Sequence, residues 1–423
     1  MKIAIIGAHA GVHFFSKKLL EEDNVEHIYH LTANPVIYPT DRYSPLNISS
    51  PDEMIEFLTN NQVDMVWITT IGYLRDVKIH KFLKEKKIPH CSPSFELSLL
   101  EWSKVHGKEL LNKLNIPTAN SRVLSKNELF EQFFEIPRPW VLKFERDWRA
   151  GLQTIIITDE NAASEFEKLK ATGQNRYMQA FGEFVDQVFL IEDFIDGNRE
   201  YSYHIICNEN SWEYIGSARD YKKFGEGDVG SNTASMGCYS PVEINPIVHQ
   251  YADTILNHLK SKGTPYVGIL YLGIMEDRNG KVYVLEINTR PGDPEFQSIA
   301  MTFDKSYSIS KMLYQAATGS KIDPVKFNDS HGVCLRIVNA DYHKIIDRVT
   351  RREWSKLENH FDPQLWPELP GIYISLNKER RLLNSVITTS AESRVQASDK
   401  IYNFLKNIEM YNFTFRKDIG YLE

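Results

Sequence analysis

The chain has 423 residues, of which 42% are apolar and 25% are charged. This composition is typical of a folded globular protein, so it excludes the disordered, collagen-like and membrane-spanning classes. The 56 acidic residues outnumber the 49 basic ones and give a net charge of -7, which disfavours binding to nucleic acid or to an anionic membrane surface.

Strand and helix patterns alternate along the first hundred residues. We predict strands at residues 3–6, 26–31 and 65–69, and helices at residues 12–22, 52–60 and 78–86. Such alternation favours a parallel sheet with helices on its faces, where ligands gather at the carboxyl ends of the strands. The first turn, residues 7–11, lacks the glycine spacing of a dinucleotide site, so NAD is disfavoured. It is either an anion-binding turn beside a helix start or a plain tight turn.

Further strands follow a helix predicted at residues 103–114. They are predicted at residues 140–144, 153–158, 200–206, 212–217, 266–275 and 281–288. Residues 276–280 lie between the last two strands and end in Asn-Gly, which is a strong signal for a hairpin.

Residues 284–295 form the most informative run. Because side chains alternate along a strand, Glu286 and Asn288 share one face and Leu285 and Ile287 share the other. Two neighbouring oxygen donors, one of them anionic, suit Mg²⁺ whose shell is completed by nucleotide phosphates. Arg290 follows on the same side and is suited to clamp a transferring phosphoryl group. Taken alone, the same strand is also consistent with a solvated surface.

Four runs share their order and spacing with the motifs of one known family. Residues 284–295 are similar to E-F-N-C-R-F-G-D-P-E, and residues 225–241 to the loop G-D-K-D-T-G-P-N-T-G-G-M-G-A-Y-S-P. Residues 264–275 are similar to T-Y-T-G-F-L-Y-A-G-L-M, and residues 416–420 to the ending R-K-D-I-G. The chain thus resembles the glycinamide ribonucleotide synthetase (phosphoribosylamine–glycine ligase) family of the ATP-grasp superfamily, as a diverged member.

The resemblance implies an α/β ATP-grasp fold with a Rossmann-like (pre-ATP-grasp) parallel-sheet domain at the N-terminus and a small α+β domain at the C-terminus. The implied domains are residues 1–100 (pre-ATP-grasp), 101–194 (connecting helix and small ATP-grasp subdomain), 195–324 (large subdomain) and 325–423 (C-terminal domain). Members of the family use ATP to phosphorylate a carboxylate, and an amine then attacks the acyl phosphate. ATP, Mg²⁺ (or Mn²⁺) and ADP formation are therefore implied.

The resemblance also implies roles for site residues. Lys143 matches the lysine that reaches the phosphates, and Glu200 matches the acid that binds the ribose hydroxyls. The hinge whose backbone pairs with adenine corresponds to Glu192, Asp193, Phe194 and Ile195. The loop over the amino acid and its acyl phosphate contains Asp220, Lys222, Asp228 and Asn232. Simpler roles stay open: a solvated charge for Lys143, a turn cap for Asp228 and a loop brace for Asn232.

Two departures from the family motifs concern the amine substrate. The family's G-N-G-G-R-E-H-A becomes residues 7–14 here and keeps only His13 of its R-E-H, while G-P-E-A-P-L becomes residues 70–75. Those loops build much of the family's phosphoribosylamine pocket, so the sequence predicts a different amine. His9, His13 and Arg75 are candidates for another anion or sugar site, or for surface positions.

Two further departures concern the phosphate and acyl sites. The flexible loop A-D-G-L-A-A-G-K-G-V is replaced by residues 144–154, with Leu152 at the lysine position, so Arg149 or Arg146 is expected to supply the cation. The run T-G-G-M-G becomes residues 233–237, where the added Cβ atoms of Ala234 and Ser235 should exclude positive φ angles.

We therefore expect an ATP-dependent carboxylate–amine ligase that joins a small, glycine-like amino acid to a non-standard amine. The alternatives are an authentic phosphoribosylamine–glycine ligase and a nucleotide-binding homologue without activity. Four well-separated cysteines and the lack of a membrane-length apolar run predict a cytoplasmic protein with free thiols. The expected partners are small molecules, not membrane or nucleic acid, and the expected assembly is a monomer or homodimer.

Overall fold

The structure is a computed structural model of the whole chain. It describes residues 1–340 except 8, 33–39, 49, 146–153, 172–175, 179–183 and 187, together with residues 342, 370–376, 383–406, 408 and 413–422. The candidate phosphate-loop cations Arg146 and Arg149 lie outside the described residues, as does Leu152.

A five-stranded parallel sheet forms the N-terminal domain. Its strands are β1 (Lys2–Ile6), β2 (His27–Thr32), β3 (Tyr43–Asn47), β4 (Met65–Ile68) and β5 (His90–Cys91), in the order β3-β2-β1-β4-β5. The helices of this region are α1 (Ala10–Leu20), α2 (Pro51–Asn60), α3 (Ile71–Leu74), α4 (Val77–Lys86) and α5 (Leu99–Trp102). Strand β4 is buried along its whole length, as expected for a parallel strand covered on both faces. The predicted parallel-sheet domain is confirmed.

An antiparallel sheet follows the connecting helix α6 (Lys104–Lys113). It contains β6 (Ser121–Ser125), β7 (Trp140–Phe144), β8 (Thr154–Ile157) and a later strand, numbered β11 below, in the order β6-β11-β7-β8. The remaining elements are α7 (Lys126–Gln132), α8 (Ala162–Ala171), β9 (Arg176–Met178), β10 (Phe184–Asp186) and β11 (Val188–Asp193). Phe133, Trp140 and Phe189 lie in the apolar core under this sheet. We call it the small sheet.

The second half of the chain is dominated by one large, mainly antiparallel sheet. Its strands are β12 (Gly197–Cys207), β13 (Trp212–Asp220), β16 (Gly237–Ser240), β17 (Gly268–Asp277), β18 (Val282–Asn288), β19 (His331–Asn339), β20 (Ile372–Leu376), β21 (Leu383–Ala391) and β22 (Phe413–Thr414). The hairpin β14 (Lys223–Gly225) and β15 (Val229–Asn232) projects from it, and α9 (Ile247–Ser261), α10 (Glu295–Ala300), α11 (Ile309–Thr318) and α12 (Arg394–Leu405) complete the region. The predicted β17–β18 hairpin is present.

The large sheet continues across the expected boundary between residues 324 and 325. Strand β16 pairs with β19 through Gly237 opposite Leu335 and Cys238 opposite Cys334. The C-terminal residues therefore extend the same sheet that contains β12, β13, β17 and β18. The small sheet and the large sheet enclose a cavity between them. In the part of the chain that the structure describes, no helix has the length and apolar character needed to cross a lipid bilayer.

Candidate active site

The cavity between the two sheets has a volume of about 660 Å³. Its walls gather the predicted site residues that fall within the described part of the chain. These are Lys143, Glu192, Asp193, Phe194, Ile195, Glu200, Asp220, Lys222, Asp228, Asn232, Glu286, Asn288 and Arg290. They come from positions up to 147 residues apart, because β7, β11, β12, β13 and β18 all border the same space. The N-terminal domain contributes His9, Thr70 and Ile71 to one end.

Glu286 and Asn288 share one face of β18, as the alternation predicted. The Asn288 Nδ2 donates to Glu286 Oε1 over 3.2 Å, and Lys104 Nζ lies 2.6 Å from Glu286 Oε2. Burial alone would raise the pKa of Glu286, but the charges of Lys104, Lys143 and Lys222 outweigh it and hold the pKa far below its usual range. The carboxylate is therefore ionised and lies beside a carboxamide, which is a donor set that Mg²⁺ accepts.

A buried ion triad supports the floor of the cavity. Glu192 is only 3% exposed, and its two carboxylate oxygens lie 2.7 Å from Lys108 Nζ and 2.7 Å from Lys143 Nζ. Burial opposes the charge of Lys143, yet Glu192 and Glu286 outweigh it and raise the Lys143 pKa. Burial and the nearby charge of Lys143 lower the pKa of Lys108 to about 8. Lys143 is therefore a fixed cation inside the cavity, not a solvated charge.

The predicted hinge follows the end of β11. Strand pairing stops at Asp193, whose backbone N–H donates to the Asn120 carbonyl and whose carboxylate accepts from Asn120 Nδ2 over 2.9 Å. Phe194 and Ile195 then cross to β12 and line the cavity. Glu200 lies on β12 and is open to the cavity, whose walls desolvate it and raise its pKa.

The segment after β13 carries a close ion pair and a bridge between the two sheets. Lys222 Nζ donates to Asp220 Oδ2 over 2.9 Å, and Asp220 outweighs burial to keep the Lys222 pKa well above its usual value. Asn232 Nδ2 donates to the Thr154 carbonyl over 3.1 Å, which connects β15 with the small sheet.

Asp228 is held by arginines at the rim of the cavity. Its Oδ1 lies 2.7 Å from Arg416 Nη1 and its Oδ2 lies 3.4 Å from Arg219 Nη2. Asp228 also has a φ of 56°, in the left-handed region that aspartate tolerates in turns. Both oxygens are therefore engaged in holding the β14–β15 turn against the C-terminal segment.

Arg290 lies just after β18 and is fixed by a carboxylate from another domain. Its Nε donates to Glu101 Oε1 over 2.9 Å, and its Nη1 donates to the Pro291 carbonyl over 3.0 Å. Burial would lower its pKa, but Glu101 and Glu295 outweigh that effect and raise it. Arg290 is therefore a permanent cation on the cavity wall.

Glu295 begins α10 and is a buried acid on the same wall. It is 4% exposed, and its Oε1 accepts from the Tyr271 hydroxyl over 3.1 Å. Burial, reinforced by the neighbouring Asp220, raises its pKa from 4.5 to about 7.

The N-terminal end of the cavity carries fewer of the predicted groups. His9 lines it, and burial lowers the pKa of its imidazole. His13 is instead buried in α1, and Arg75 packs its guanidinium 4.2 Å from the Phe95 ring and donates to the Phe95 carbonyl. Neither residue lines the cavity, so the expectation of a shared anion or sugar site for His9, His13 and Arg75 is wrong.

The expectation for Ser235 is also wrong. Its φ is 112° although serine carries a Cβ, whereas Ala234 is not among the residues with positive φ. The Thr233 Oγ1 accepts from the Ser235 N–H and the Ser235 Oγ accepts from the Gly237 N–H, each over 3.1 Å. These local bonds offset the strain of the turn, so the backbone keeps the path that a glycine would allow.

The sequence reasoning missed several cavity residues, among them Glu101, Lys104 and Glu295, and it also missed Lys108, which lies behind the cavity wall and pairs with Glu192. Lys104 and Lys108 are one helical turn apart at the start of α6, and this spacing places them on one helix face. Glu295 is the last residue of residues 292–295, which match G-D-P-E at the end of the family motif, so the motif itself was a signal for it. For Glu101 the sequence offers no local signal, because its partners lie 188 and 189 residues away.

Comparisons with known proteins agree with this architecture. Residues 102–296 match the family model "Phosphoribosylglycinamide synthetase, ATP-grasp (A) domain". The phosphoribosylamine–glycine ligases of Streptococcus pyogenes serotype M1 and Fusobacterium nucleatum are each 27% identical to the chain over 441 aligned positions. The alignments cover 99% of this chain and 99% of the first ligase, and 100% of this chain and 99% of the second.

Solved structures share the fold at lower identity. The phosphoribosylamine–glycine ligase of Thermotoga maritima superposes with a TM-score of 0.71 and 22% identity over 99% of this chain and 100% of that one. The biotin carboxylase domain of the Hydrogenobacter thermophilus 2-oxoglutarate carboxylase, solved with MgADP, ADP and bicarbonate, has a TM-score of 0.64 and 16% identity, with 96% and 90% covered. The chain therefore resembles the glycinamide ribonucleotide synthetase family along its whole length, and its match at residues 102–296 indicates an ATP-grasp ligase that forms a carbon–nitrogen bond.

Proposed function

We propose that the protein is an ATP-dependent phosphoribosylamine–glycine ligase. The observation that carries the proposal is the convergence of Glu286, Asn288, Arg290 and Lys143 on one cavity between two sheets. The full-length relatives with this activity support it better than the non-standard amine expected from the loop sequences.

The proposed reaction has two steps. A glycine carboxylate oxygen attacks the terminal phosphorus of ATP, the bond to the ADP oxygen breaks, and glycyl phosphate forms. The amine nitrogen then attacks the carbonyl carbon, inorganic phosphate leaves, and a proton is released. The protein's contribution is mainly to hold the reactants in line and to compensate the charge of the transferring group. In this proposal Lys143 and Arg290 are the cations that do so.

The nucleotide is proposed to lie against the hinge. Backbone groups of Phe194 and Ile195, which follow the last paired residue of β11, would face the adenine edge, and Glu200 would accept from the ribose hydroxyls. Lys143 would face the phosphates, since the Glu192 carboxylate fixes its ammonium group at the inner end of the small sheet. Arg149 stays a proposed phosphate cation outside the described residues.

A divalent cation, Mg²⁺ or Mn²⁺, is proposed to bind at Glu286 and Asn288. The ionised carboxylate and the adjacent carboxamide are hard oxygen donors, so the residues present fit such an ion. When bound, the metal would supply positive charge to the phosphate oxygens. Lys104, which contacts the free Glu286 oxygen over 2.6 Å, compensates the same carboxylate from the opposite side.

Glycine recognition is proposed for the other wall. Asp220 and Glu295 offer negative charge for an ammonium group, while Arg290 and Lys222 offer positive charge for a carboxylate. The two kinds of group alternate around the same part of the cavity, which suits a small zwitterion. Asn232 would brace this wall against the small sheet through the Thr154 carbonyl. Asp228, with both oxygens held by arginines, would act through the loop conformation.

A second candidate function keeps the same chemistry with a different amine. It is favoured by the N-terminal end of the cavity, where His9, Thr70 and Ile71 replace the family's loop residues and Arg75 is stacked on Phe95 outside the cavity. A phosphorylated amine would there meet fewer cations than the family's motif provides.

Product formation distinguishes the two candidates. The purified chain is mixed with ATP, Mg²⁺, glycine and freshly made phosphoribosylamine, and ADP and glycinamide ribonucleotide are measured together. The proposal expects both products in equal amounts and no ADP release when glycine is omitted. ADP release with glycine and another amine, but not with phosphoribosylamine, would support the second candidate and overturn the first.

A further inference from the structure

A short connecting segment, residues 101–105, contacts the cavity walls at several points. Glu101 accepts from Thr289 and Arg290, Ser103 donates to the Glu145 carboxylate, and Lys104 pairs with Glu286. The segment joins the N-terminal domain to α6, so it belongs to neither sheet. It nevertheless bonds to residues of both sheets where they face the cavity.

Glu101 makes the most complete set of these contacts. It is 8% exposed, and its Oε2 accepts from the Thr289 backbone N–H over 2.8 Å and from Thr289 Oγ1 over 3.2 Å. Its Oε1 accepts from Arg290 Nε over 2.9 Å. A buried carboxylate that accepts hydrogen bonds from an arginine and a backbone N–H fixes both partners strongly.

The contact leaves one edge of the Arg290 guanidinium for a ligand. Nε is bound by Glu101 and Nη1 by the Pro291 carbonyl, whereas Nη2 has no hydrogen-bond partner among the described residues. Arg290 lines the cavity, so this remaining amino group is the one available to an anionic substrate group. A guanidinium tethered at two nitrogens loses little conformational freedom when the third binds.

We propose that Glu101 is a positioning residue that fixes Arg290 for phosphoryl transfer to the amino acid. The proposal rests on the proposed ligase function and deepens it, because it assigns to the segment between the N-terminal domain and α6 a direct part in the chemistry of the cavity between the two sheets. Loss of the tether lets the guanidinium swing away from its aligned position, which lowers the rate of acyl phosphate formation and leaves nucleotide binding unchanged.

A double-mutant cycle tests this. Wild type, E101Q, R290K and E101Q/R290K are compared with ATP, Mg²⁺, glycine and hydroxylamine, which traps glycyl phosphate as a hydroxamate. E101Q is expected to lower kcat by about 10- to 100-fold while the KM for ATP changes less than about twofold. In the R290K background, E101Q should lower kcat by less than about twofold, because lysine has no guanidinium Nε–H for Glu101 to hold. An equal cost in both backgrounds would overturn the proposal.

Two further variants separate positioning from folding. E22Q removes a carboxylate that also joins elements distant in sequence, since Glu22 accepts from the Ile309 N–H over 2.7 Å and from Ser310 Oγ over 2.6 Å, far from the cavity. It should lower the melting temperature without lowering kcat. If E101Q does not fold, E101D keeps the charge but shortens the reach, and it should show the same split between kcat and KM.

Crystal structures of wild type and of E101Q or E101D give a readout that does not depend on activity. A displaced Arg290 guanidinium is expected, and an unmoved one would overturn the positioning role. If wild type forms neither hydroxamate nor ADP with glycine, the proposed function fails, while the position of Arg290 still decides the role of Glu101.

Discussion

The two ends of the cavity hold their charges in different ways. At the end between the sheets, Glu192 pairs with Lys108 and Lys143, and Glu286 pairs with Lys104, so each acid is matched by a nearby cation. At the N-terminal end, His9, Thr70 and Ile71 line the wall, and the nearest basic candidate of those loops, Arg75, is stacked on Phe95. The first end is built for a highly charged reactant. At the second end the N-terminal loops add no carboxylate, lysine or arginine to the described lining, and the charges beside His9 are those of the Asp293–Arg336 ion pair from the second half of the chain.

This contrast indicates that reaction type and substrate choice are encoded in different parts of the molecule. The ion pairs between the sheets are buried, and exchanging one of their residues leaves an uncompensated charge, so this end tolerates little change. The N-terminal wall is made of short loops after β1 and β4, which can change without exposing the core. The departures from the family's motifs lie at that wall, in the phosphate loop and at residues 233–237.

The largest effect is expected from E286Q. The change removes the proposed metal carboxylate and leaves the ammonium groups of Lys104, Lys143 and Lys222 without their shared counter-charge. We expect kcat for ADP release to fall by about 10³-fold. D52N, which breaks an exposed ion pair with Lys78, is the control and should keep the wild-type rate. A rate for E286Q within tenfold of wild type would contradict the assignment.

E192Q tests the buried triad through stability. Two lysines would share a site without an acid, and breaking a buried ion pair in this way costs roughly 3 to 5 kcal/mol. Urea unfolding followed by fluorescence measures the loss. K108M/E192Q should recover part of the lost stability, because only one of the two buried lysines, Lys143, then lacks the Glu192 carboxylate. If the double variant is less stable than E192Q, the triad is not an electrostatic unit.

The pH dependence of stability tests Glu295. Its pKa rises from 4.5 in the unfolded chain to about 7 in the folded protein, so between these pH values the folded state binds more protons. Stability contributed by this group is therefore lost as the pH rises through that window, by roughly 1 kcal/mol per pH unit. Burial is the main cause of the raised pKa and Asp220 adds to it, whereas Lys222 and Arg290 oppose it. The Tyr271 hydroxyl also faces the carboxyl and donates to it.

Comparison of E295Q with wild type isolates that group. The stability of E295Q relative to wild type should grow between pH 4.5 and 7 and stay constant above, as measured by urea unfolding at several pH values. A constant difference across the window would mean that Glu295 ionises at its ordinary pKa.

The smallest effect is expected from H9A at the N-terminal end. His9 lines the cavity beside the proposed amine position, and loss of one hydrogen-bonding group costs about 1 kcal/mol. The KM for the amine should rise about fivefold while the KM for ATP stays unchanged. R75M is the matched control, because Arg75 lies outside the cavity, and it should leave both constants unchanged. If H9A and R75M changed the KM for the amine equally, the placement of the amine beside His9 would be contradicted.

The pair Glu286 and Asn288 was predictable from strand alternation, whereas most of the other predicted cavity residues, such as Lys143 and Glu200, were identified by the resemblance to the family motifs. Glu286 and Asn288 lie at the end of β18 and Arg290 follows it, and alternation alone places the first two on one face of the strand. The tether of Arg290 by Glu101 was not predictable, since it joins residues 189 positions apart that no periodic pattern relates.

Contacts with neighbouring residues explain the other differences between the sequence predictions and the structure. A sequence shows that Arg75 is basic but not that Phe95 and Trp102 offer it aromatic faces at 4.2 and 5.7 Å. It shows that Ser235 carries a Cβ but not that Thr233 and Gly237 provide the bonds that stabilise its positive φ. The position of the Arg75 side chain and the φ angle of Ser235 therefore depend on residues that become neighbours only in the folded chain.

If a carboxylate attacks ATP in the cavity between the two sheets, one of its oxygens must pass into the released phosphate, and isotope labelling can follow that transfer. Glycine labelled with ¹⁸O in both carboxylate oxygens is incubated with the protein, ATP, Mg²⁺ and phosphoribosylamine, and the released phosphate is analysed by mass spectrometry. We expect one labelled oxygen in each phosphate and the other in the new amide. Unlabelled phosphate formed together with the amide would contradict this expectation.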